Sequence, residues 1–247
     1  MVYGGVSVPL PMSVCCLCKN VVGVSDGEHT YFYKIVLGKL EPIDVKVYGV
    51  ASKCSYSGRF LGVVAPGAVY IFDLYNNLMY TFSNAIDVST YRNSFAIGFL
   101  KEVEVWKEGA LFKYPLKGSL VSMLLSDKVY VCEGNKVEML GGPSINIRCQ
   151  WLSLLDDKVI DVYGNQYVVL STKLKLLGKG TLKCEAYSID FSDSKLMIRS
   201  PNEICLYKLV EVKEFETLMI MSTIALFGTI ISILNKILRE RLTPEPY

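Results

Sequence analysis

Histidine is almost missing from this sequence. His29 is the one histidine in 247 residues, which excludes metal sites built from several histidines and leaves one candidate for a Ser-His-Asp or Cys-His arrangement. It lies in the stretch Asp26-Gly27-Glu28-His29-Thr30, whose composition is typical of a solvated turn. We therefore expect no catalytic role for His29.

The motifs of common enzyme classes are also missing. The sequence contains no P-loop, no GxGxxG after a strand, no HExxH and no GxSxG. Acidic pairs such as Asp156-Asp157 are of the kind that glycosidases use, but they fall at turns, where Asp is favoured because it bonds to its own backbone. The sequence predicts a non-enzymatic protein with no catalytic residue and no cofactor.

No region of the chain concentrates charge of one sign. The chain has 26 Lys and Arg against 24 Asp and Glu, a net charge of +2, whereas a nucleic-acid-binding domain normally shows a clustered basic patch. Glutamine is scarce, at Gln150 and Gln166 alone, which mildly favours a thermophilic source. No signal peptide is apparent, because no basic residue precedes Lys19 and prolines interrupt the first apolar run.

The eight cysteines follow no regular spacing. Three cluster at Cys15, Cys16 and Cys18, and the remainder fall singly in apolar, strand-like runs. Reduced, buried strand residues are the first expectation, and one or two disulfides are the alternative. Cys15 and Cys18 form a CxxC and are weak candidate metal ligands, because a zinc site would need further cysteines from elsewhere in the fold.

What the sequence does contain is a repeated hairpin. LLSDKVYVCEGNKVEML begins at Leu124, and LLDDKVIDVYGNQYVVL begins at Leu154. The two copies align without an insertion or deletion. Each copy has an alternating strand, KVYV or KVID, between a polar turn and a Gly-Asn turn that tolerates positive φ. The sequence predicts the same antiparallel unit twice in succession.

Looser copies of this unit begin at Val21, Leu61, Ala96 and Ser188. We align the six copies on middle strands near these residues: Thr30, Ala68, Val103, Lys128, Lys158 and Lys195. A hairpin cannot bury both faces alone, whereas sheets packed around an axis bury each other. Six such copies favour a repeat architecture.

Across roughly residues 13 to 210, this pattern resembles the WD40-like β-propeller superfamily. The Trp-Asp and Gly-His pairs of WD40 repeats are absent, so the resemblance is one of strand pattern. It implies an all-β fold, an irregular five- or six-bladed β-propeller, over residues 1–212. A β-sandwich or barrel is the alternative. A propeller has no open sheet edge when its ends meet, so we expect the opening VYGGVSV to complete the blade that ends in ICLYKLVEV.

The C-terminal part of the sequence reads as a membrane anchor. Residues 217–235 contain no charged side chain, and as a helix they would span about 28 Å, close to the thickness of the bilayer core. We predict a linker at 213–216, a transmembrane helix at 217–238 and a polar tail at 239–247. Two small-residue pairs could pack against another helix: Ala225/Thr229 and Gly228/Ser232.

The orientation of this helix has two interpretations. The positive-inside rule places the Lys236, Arg239 and Arg241 end in the cytoplasm and the repeat domain outside. A hydrophobic segment that emerges last in synthesis is instead typical of a tail anchor, which leaves the repeat domain cytoplasmic. We favour the cytoplasmic placement.

These features predict a protein-interaction scaffold anchored to a membrane. The alternatives are an accessory subunit of a respiratory or secretion-type membrane complex and a cell-surface adhesion or coat protein. We expect partner contacts at turn aromatics and bases: Tyr75, Tyr91, Arg92, Trp106 and Tyr163. The four-residue linker should hold the domain near the bilayer, with the partner on the side directed away from it.

Overall fold

The computed structural model describes residues 2–9, 14–37, 39–155, 157–186, 188–192, 195–199 and 203–209. Within these ranges all regular structure is β, and it forms six four-stranded antiparallel sheets in one compact unit, Val2–Leu209. The described residues include no helix long and apolar enough to cross a bilayer.

The predicted C-terminal elements lie outside the described residues. They are the linker at 213–216, the transmembrane helix at 217–238 and the polar tail at 239–247. The four predicted helix-packing residues belong to the same segment: Ala225, Gly228, Thr229 and Ser232. The membrane helix and its packing pairs therefore stay predictions from the sequence.

The described residues form 24 strands. Blades 1 and 2 comprise β2 (Val14–Cys18), β3 (Val21–Ser25), β4 (His29–Val36), β5 (Lys39–Tyr48), and β6 (Lys53–Tyr56), β7 (Phe60–Ala65), β8 (Ala68–Asp73), β9 (Leu78–Ser83). Blades 3 and 4 comprise β10 (Asp87–Tyr91), β11 (Ser94–Gly98), β12 (Glu102–Lys107), β13 (Ala110–Pro115), and β14 (Ser122–Leu125), β15 (Val129–Cys132), β16 (Val137–Met139), β17 (Ser144–Ile145). Blades 5 and 6 comprise β18 (Trp151–Leu155), β19 (Lys158–Tyr163), β20 (Gln166–Ser171), β21 (Leu176–Thr181), and β22 (Ser188–Ser192), β23 (Lys195–Arg199), β24 (Glu203–Leu209) and β1 (Val2–Pro9).

The sheets are arranged as a closed ring. The first strand of each blade contacts the first strand of the next, and β22 of blade 6 contacts β2 of blade 1. We call the strands A to D outward from this ring. The D strands of blades 2, 3 and 5 are mostly exposed on both sides. The all-β propeller prediction is therefore confirmed, and the six sheets resolve the choice between five and six blades.

Ring closure uses the N-terminal strand, as the sequence predicts. β1 pairs antiparallel with β24, from Val2 opposite Leu209 to Pro9 opposite Glu203. The strand that begins the chain thus supplies the D strand of blade 6. This pairing covers the outer edge of β24, which would otherwise be left without a partner.

The structure contains the predicted repeat, but the predicted alignment of the six copies matches different strands in different blades. The two close copies, 124–140 and 154–170, form strands A to C of blades 4 and 5. The copies beginning at Val21, Leu61 and Ala96 instead cover strands B to D, so the alignment placed C strands of blades 1 to 3 opposite B strands of blades 4 to 6. Consecutive antiparallel hairpins look alike, so pattern alone does not set the phase.

The topology gives the ring two distinct faces. A–B and C–D turns lie on one face, which we call the AB face, and B–C turns and blade-to-blade connections lie on the other, which we call the BC face. The A strands of neighbouring blades run in the same direction, because Asp87 and Ser89 bond to Met123 and Leu125 in matching order. Each A and C strand therefore ends on the AB face.

Candidate functional site

A groove on the AB face lies between blades 3 and 4. It encloses about 510 Å³ and is lined by the A–B turns of both blades, the C–D turn of blade 3, and side chains of β13. We call it the blade 3–4 groove. Two of the predicted partner-contact residues, Tyr91 and Arg92, line it together.

Arg92 lies at the entrance of the blade 3–4 groove. It follows β10 with a φ of 50°, and its guanidinium carbon lies 4.9 Å from the centroid of the Tyr91 ring. Nη1 lies 3.4 Å from Oδ1 of Asp127, with both side chains about three-quarters exposed. Exposed ion pairs are worth about 0–1 kcal/mol, so a partner carboxylate could replace Asp127 at small cost.

The walls of the groove are apolar where they are deepest. Tyr91, Tyr114 and Leu140 pack against a buried cluster shared by blades 3 and 4. Phe112 of β13 also lines the groove and is 47% exposed. An apolar floor beneath an exposed aromatic side chain can accept a large side chain from another polypeptide.

Charges of both signs surround this floor. Lys107, Glu108, Asp127 and Lys128 all line the groove and are exposed. Such a mixed rim gives a binding surface orientation and partner selectivity more than affinity. The arrangement suits a polypeptide segment with an apolar anchor flanked by charges.

Tyr75 lies on the same AB face but outside the groove. It is 75% exposed on the β8–β9 turn, whose shape depends on the buried carboxylate of Asp73. That carboxylate accepts from the amides of Tyr75 and Asn76 at 3.2 and 3.3 Å, and from Arg59 Nη2 at 2.6 Å. The hydrogen bond from the Arg59 guanidinium is the main reason why the pKa of Asp73 falls to about 2.

Trp106 and Tyr163 are separate from the groove. Trp106 stacks on Phe95 with a centroid distance of 5.9 Å and packs against the cluster between blades 2 and 3, so its environment is that of a gap-filling residue. Tyr163 ends β19 on the BC face, under the guanidinium of Arg148 at 4.6 Å. The predicted residues therefore do not form one surface.

Sequence reasoning missed the groove residues Phe112, Tyr114 and Leu140. Phe112 and Tyr114 belong to the β13 strand and Leu140 follows β16, and the two elements are far apart in sequence. The available signal was the aromatic pair in the alternating run ALFKYP, which reads equally well as core. The packing of neighbouring blades, which the sequence does not state, brings these residues together.

Buried polar side chains in the A strands join blades to one another. Asp87 accepts from Lys53 Nζ at 2.6 Å and from the Met123 amide at 2.7 Å, which connects blades 2, 3 and 4. Ser89 accepts from the Leu125 amide at 2.9 Å, and Ser122 from the Leu152 amide at 3.0 Å. These groups satisfy amides of strands that have no sheet partner on that side, so we assign them a structural role.

The channel that the A strands enclose is narrow. Its cavity of about 150 Å³ is lined by all six blades, including Lys53, Ser55 and Thr90. Ser55 Oγ accepts from the Thr90 amide at 2.9 Å, so the polar lining is engaged in bonds between blades. A volume of this size holds a few waters but no drug-sized ligand.

Asp161 is the most strongly perturbed carboxyl group described. It lies in β19 with 1% exposure, and burial raises its pKa to about 7 despite hydrogen bonds from the amides of Gln150 and Trp151. A perturbed carboxyl can mark an active site. The described residues include no cluster of three His, Cys, Asp or Glu side chains that could hold a metal.

The cysteines differ from the first expectation. Six of them form disulfides: Cys18–Cys54, Cys132–Cys149 and Cys184–Cys205. Cys18 is thus a poor candidate metal ligand, and the Sγ of Cys15 lies 3.4 Å from the Gly23 carbonyl oxygen. The expectation of reduced strand cysteines was wrong for these six, because irregular spacing does not show which strands and connections become neighbours.

Asp26 and Asp157 lie in turns, whereas His29 is half-buried and begins strand β4. Oδ1 of Asp26 accepts from the amides of Glu28 and His29 at 2.9 and 2.7 Å, and the His29 ring contacts Tyr48 edge-on at 5.6 Å. In the Asp156-Asp157 pair, Asp156 lies outside the described residues, and Asp157 is exposed beside Lys158 at 3.0 Å.

Solved structures, among them a WD40 β-propeller domain, share this fold. The WD40 β-propeller domain of Doa1 is similar with a TM-score of 0.59 at 11% identity, covering 79% of both chains. A chain of the mitotic checkpoint complex gives a TM-score of 0.58 at 9% identity, covering 83% of this chain and 91% of that one. The computationally designed Ika8 protein gives 0.52 at 14% identity, covering 79% and 71%.

Sequence comparison adds no closer relative. No protein-family model matches the chain, and no curated protein matches it. Identities of 9–14% show a common fold alone. The resemblance to WD40-like β-propellers is thus confirmed at the level of the fold.

Proposed function

We propose that this protein is a non-enzymatic interaction scaffold that docks a protein partner in the blade 3–4 groove. The observation that supports this most directly is that Tyr91, Arg92 and Phe112 surround the apolar floor of a groove of about 510 Å³. A propeller presents such a groove on a rigid ring, so little order is lost on binding. Fold alone does not assign function, so the proposal rests on the groove.

Binding would use two kinds of contact. An apolar or aromatic partner side chain enters between Phe112 and Tyr114, and a partner carboxylate replaces Asp127 on Arg92. The weak 3.4 Å pair between Arg92 and Asp127 keeps the guanidinium in position for this exchange. The fold of this chain is similar to that of a chain in the mitotic checkpoint complex, which is itself a protein assembly.

The proposal includes the membrane anchor of residues 217–238. Its support is the uncharged run of nineteen residues in the sequence, with Lys236 and Arg239 following it. The second candidate function, an accessory subunit of a membrane complex, differs in that the helix would pack on other helices through the pairs Gly228/Ser232 and Ala225/Thr229. After mild solubilisation, a discrete large complex in native electrophoresis would favour that subunit role.

The disulfides bear on the side of the membrane. Three disulfides are typical of oxidising compartments, with intracellular proteins of hyperthermophiles as the known exception. They therefore strengthen the outer placement that the positive-inside rule favours over the cytoplasmic one. Protease digestion of intact cells separates the two: cleavage of the propeller means outside, and protection means cytoplasmic.

Site-specific photo-crosslinking tests the groove. A benzoylphenylalanine replaces Phe112 in the groove or, as a control, Tyr48, a 69% exposed aromatic residue at the BC-face end of β5. We expect one discrete crosslinked species from position 112 and none of that mass from position 48. Equal yields from both positions, or no crosslink at 112 in cells where the protein is abundant, would exclude the groove as the docking site.

A further inference from the structure

Exposed apolar side chains recur at one end of the outermost strands. The D strands of blades 2, 3 and 5 carry them near their AB-face ends as the pairs Leu78–Met79, Leu111–Phe112 and Leu176–Leu177. These six side chains are 40–59% exposed. We call these three pairs the apolar rim.

Blade 1 continues this pattern at its C–D turn. Leu40 is 58% exposed and Leu37 is 99% exposed. Exposed apolar residues on the BC side, such as Tyr48, Ile86 and Leu100, lie at a strand end or in connections and do not recur at one strand position from blade to blade. The same position in four blades therefore suggests a common surface that this end of the ring presents.

The turns beside the apolar rim are predominantly basic. Lys39, Lys107, Lys128, Lys173 and Lys175 are all exposed there. The exposed acidic side chains there are fewer: Glu41, Glu108, Asp127 and Asp157. Apolar side chains beside lysines are the composition of surfaces that enter the boundary between headgroups and acyl chains.

The course of the chain points to the same face. β24 is a C strand, so its last described residue, Leu209, lies at the AB-face end of blade 6. The uncharged segment begins at Thr217, eight residues farther along the sequence. Eight residues span at most about 29 Å, which limits how far this end of the ring can lie from a membrane that holds the segment.

We propose that the AB face lies against an anionic lipid surface, with the apolar rim at the level of the headgroups. This inference rests on the proposed membrane anchor. The leucines and Met79 would enter the boundary region, and the lysines would contact lipid phosphates. Such lysines are attracted to the negative potential of an anionic surface.

This orientation changes the expected position of the partner. The sequence suggested a partner on the side directed away from the membrane, whereas the blade 3–4 groove opens on the AB face. With that face toward the bilayer, the segment that fits the groove is the juxtamembrane part of another membrane protein. The groove suits a segment with an apolar anchor flanked by charges, and a juxtamembrane segment has that composition.

Fluorescence quenching by brominated lipid tests the orientation in the full-length protein. The protein is reconstituted into vesicles of brominated phosphatidylcholine and phosphatidylserine, and a single tryptophan is added at Leu177→Trp. The matched control is Thr181→Trp, an exposed position at the other end of β21, about 13 Å away along the strand. Because both sites are exposed, neither change should prevent folding.

We expect the emission added at position 177 to lose at least about twice the fraction lost at position 181. Met79→Trp and Ser83→Trp in β9 repeat the comparison in another blade. Vesicle flotation is measured first, and protein that does not float with the vesicles overturns both the anchor and this inference. Protein that floats but shows equal or reversed quenching in the two pairs overturns the orientation alone.

Discussion

At the scale of single residues, several buried polar side chains have structural roles, although burial of this kind is also common at catalytic sites. Asp87, Ser89 and Ser122 each accept a hydrogen bond from a backbone amide of the next blade. Asp73 holds a surface turn through its own hydrogen bonds and the Arg59 fork. Removing such a group leaves a buried donor without a partner, which costs about 1–3 kcal/mol.

Asp161 should make the stability of the protein fall as pH rises. The pKa of its carboxyl is about 7 in the folded protein against an ordinary value of 3.8, so the folded state holds the proton more tightly than the unfolded chain. The stabilisation is complete below about pH 4, is lost as pH rises to about 7, and amounts to about 4 kcal/mol. Asp161→Asn, which keeps an acceptor for the Gln150 amide, should flatten this profile in urea unfolding at pH 5 to 8. An unchanged profile would show that other groups cause the dependence.

Asp73 should act with the opposite sign. Its pKa is lowered to about 2, so its contribution is present above about pH 4 and is lost as pH falls through about 2. Asp73→Asn should cost about 2 kcal/mol at pH 7, because the hydrogen bond from the charged Arg59 weakens. The exposed Asp127→Asn is the control and should change the unfolding free energy by less than about 1 kcal/mol. Equal losses in the two variants would contradict a structural role for the Arg59 fork.

At the scale of elements, the hairpin repeat carried most of the information in the sequence. Matching turns at Gly134 and Gly164, with φ of 82° and 56°, fixed blades 4 and 5, and the apolar VYGGVSV correctly predicted closure by β1. The alignment of the other copies was wrong about which strand each copy begins on, because every antiparallel strand pair has the same alternation. The sequence did not predict the disulfide pairing or the groove for a different reason: both depend on which blades and connections become neighbours.

Loss of β1 should destabilise the whole ring. β1 pairs with β24 along its length, so deletion of residues 1–12 exposes a C-strand edge and opens the circle. We expect a sharply lower melting temperature and a tendency to associate through the open edge. Deletion of the nine C-terminal residues 239–247 is the control. An unchanged transition after the first deletion would contradict closure.

The Cys18–Cys54 disulfide should stabilise the junction of blades 1 and 2. It joins two A strands 36 residues apart in sequence, and closing a loop of that length contributes about 3–4 kcal/mol in the chain-entropy treatment. The double variant Cys18→Ser, Cys54→Ser should unfold at a lower denaturant concentration than the wild type. Its free energy of unfolding should also fall less when reductant is added. Identical responses to reductant would mean that this bond contributes nothing.

At the scale of the whole molecule, the two faces have different properties. The AB face carries the blade 3–4 groove and the apolar rim, and the chain leaves the last described strand on that face. The BC face carries the hydrogen-bonded turn at Asp26 and the Arg148–Tyr163 contact. This asymmetry supports a scaffold that binds its partner through one face.

Charge reversal on the two faces tests this account most directly. Arg92→Glu in the groove and Arg148→Glu on the BC face remove the same charge, and each arginine lies over a tyrosine ring, at 4.9 and 4.6 Å. The full-length variants are extracted in mild detergent, and native electrophoresis measures the fraction of protein in the partner complex. We expect Arg92→Glu to lower that fraction at least about tenfold, as for a hot-spot arginine, and Arg148→Glu to leave it unchanged. Equal fractions in the two variants, or a loss confined to Arg148→Glu, would contradict it.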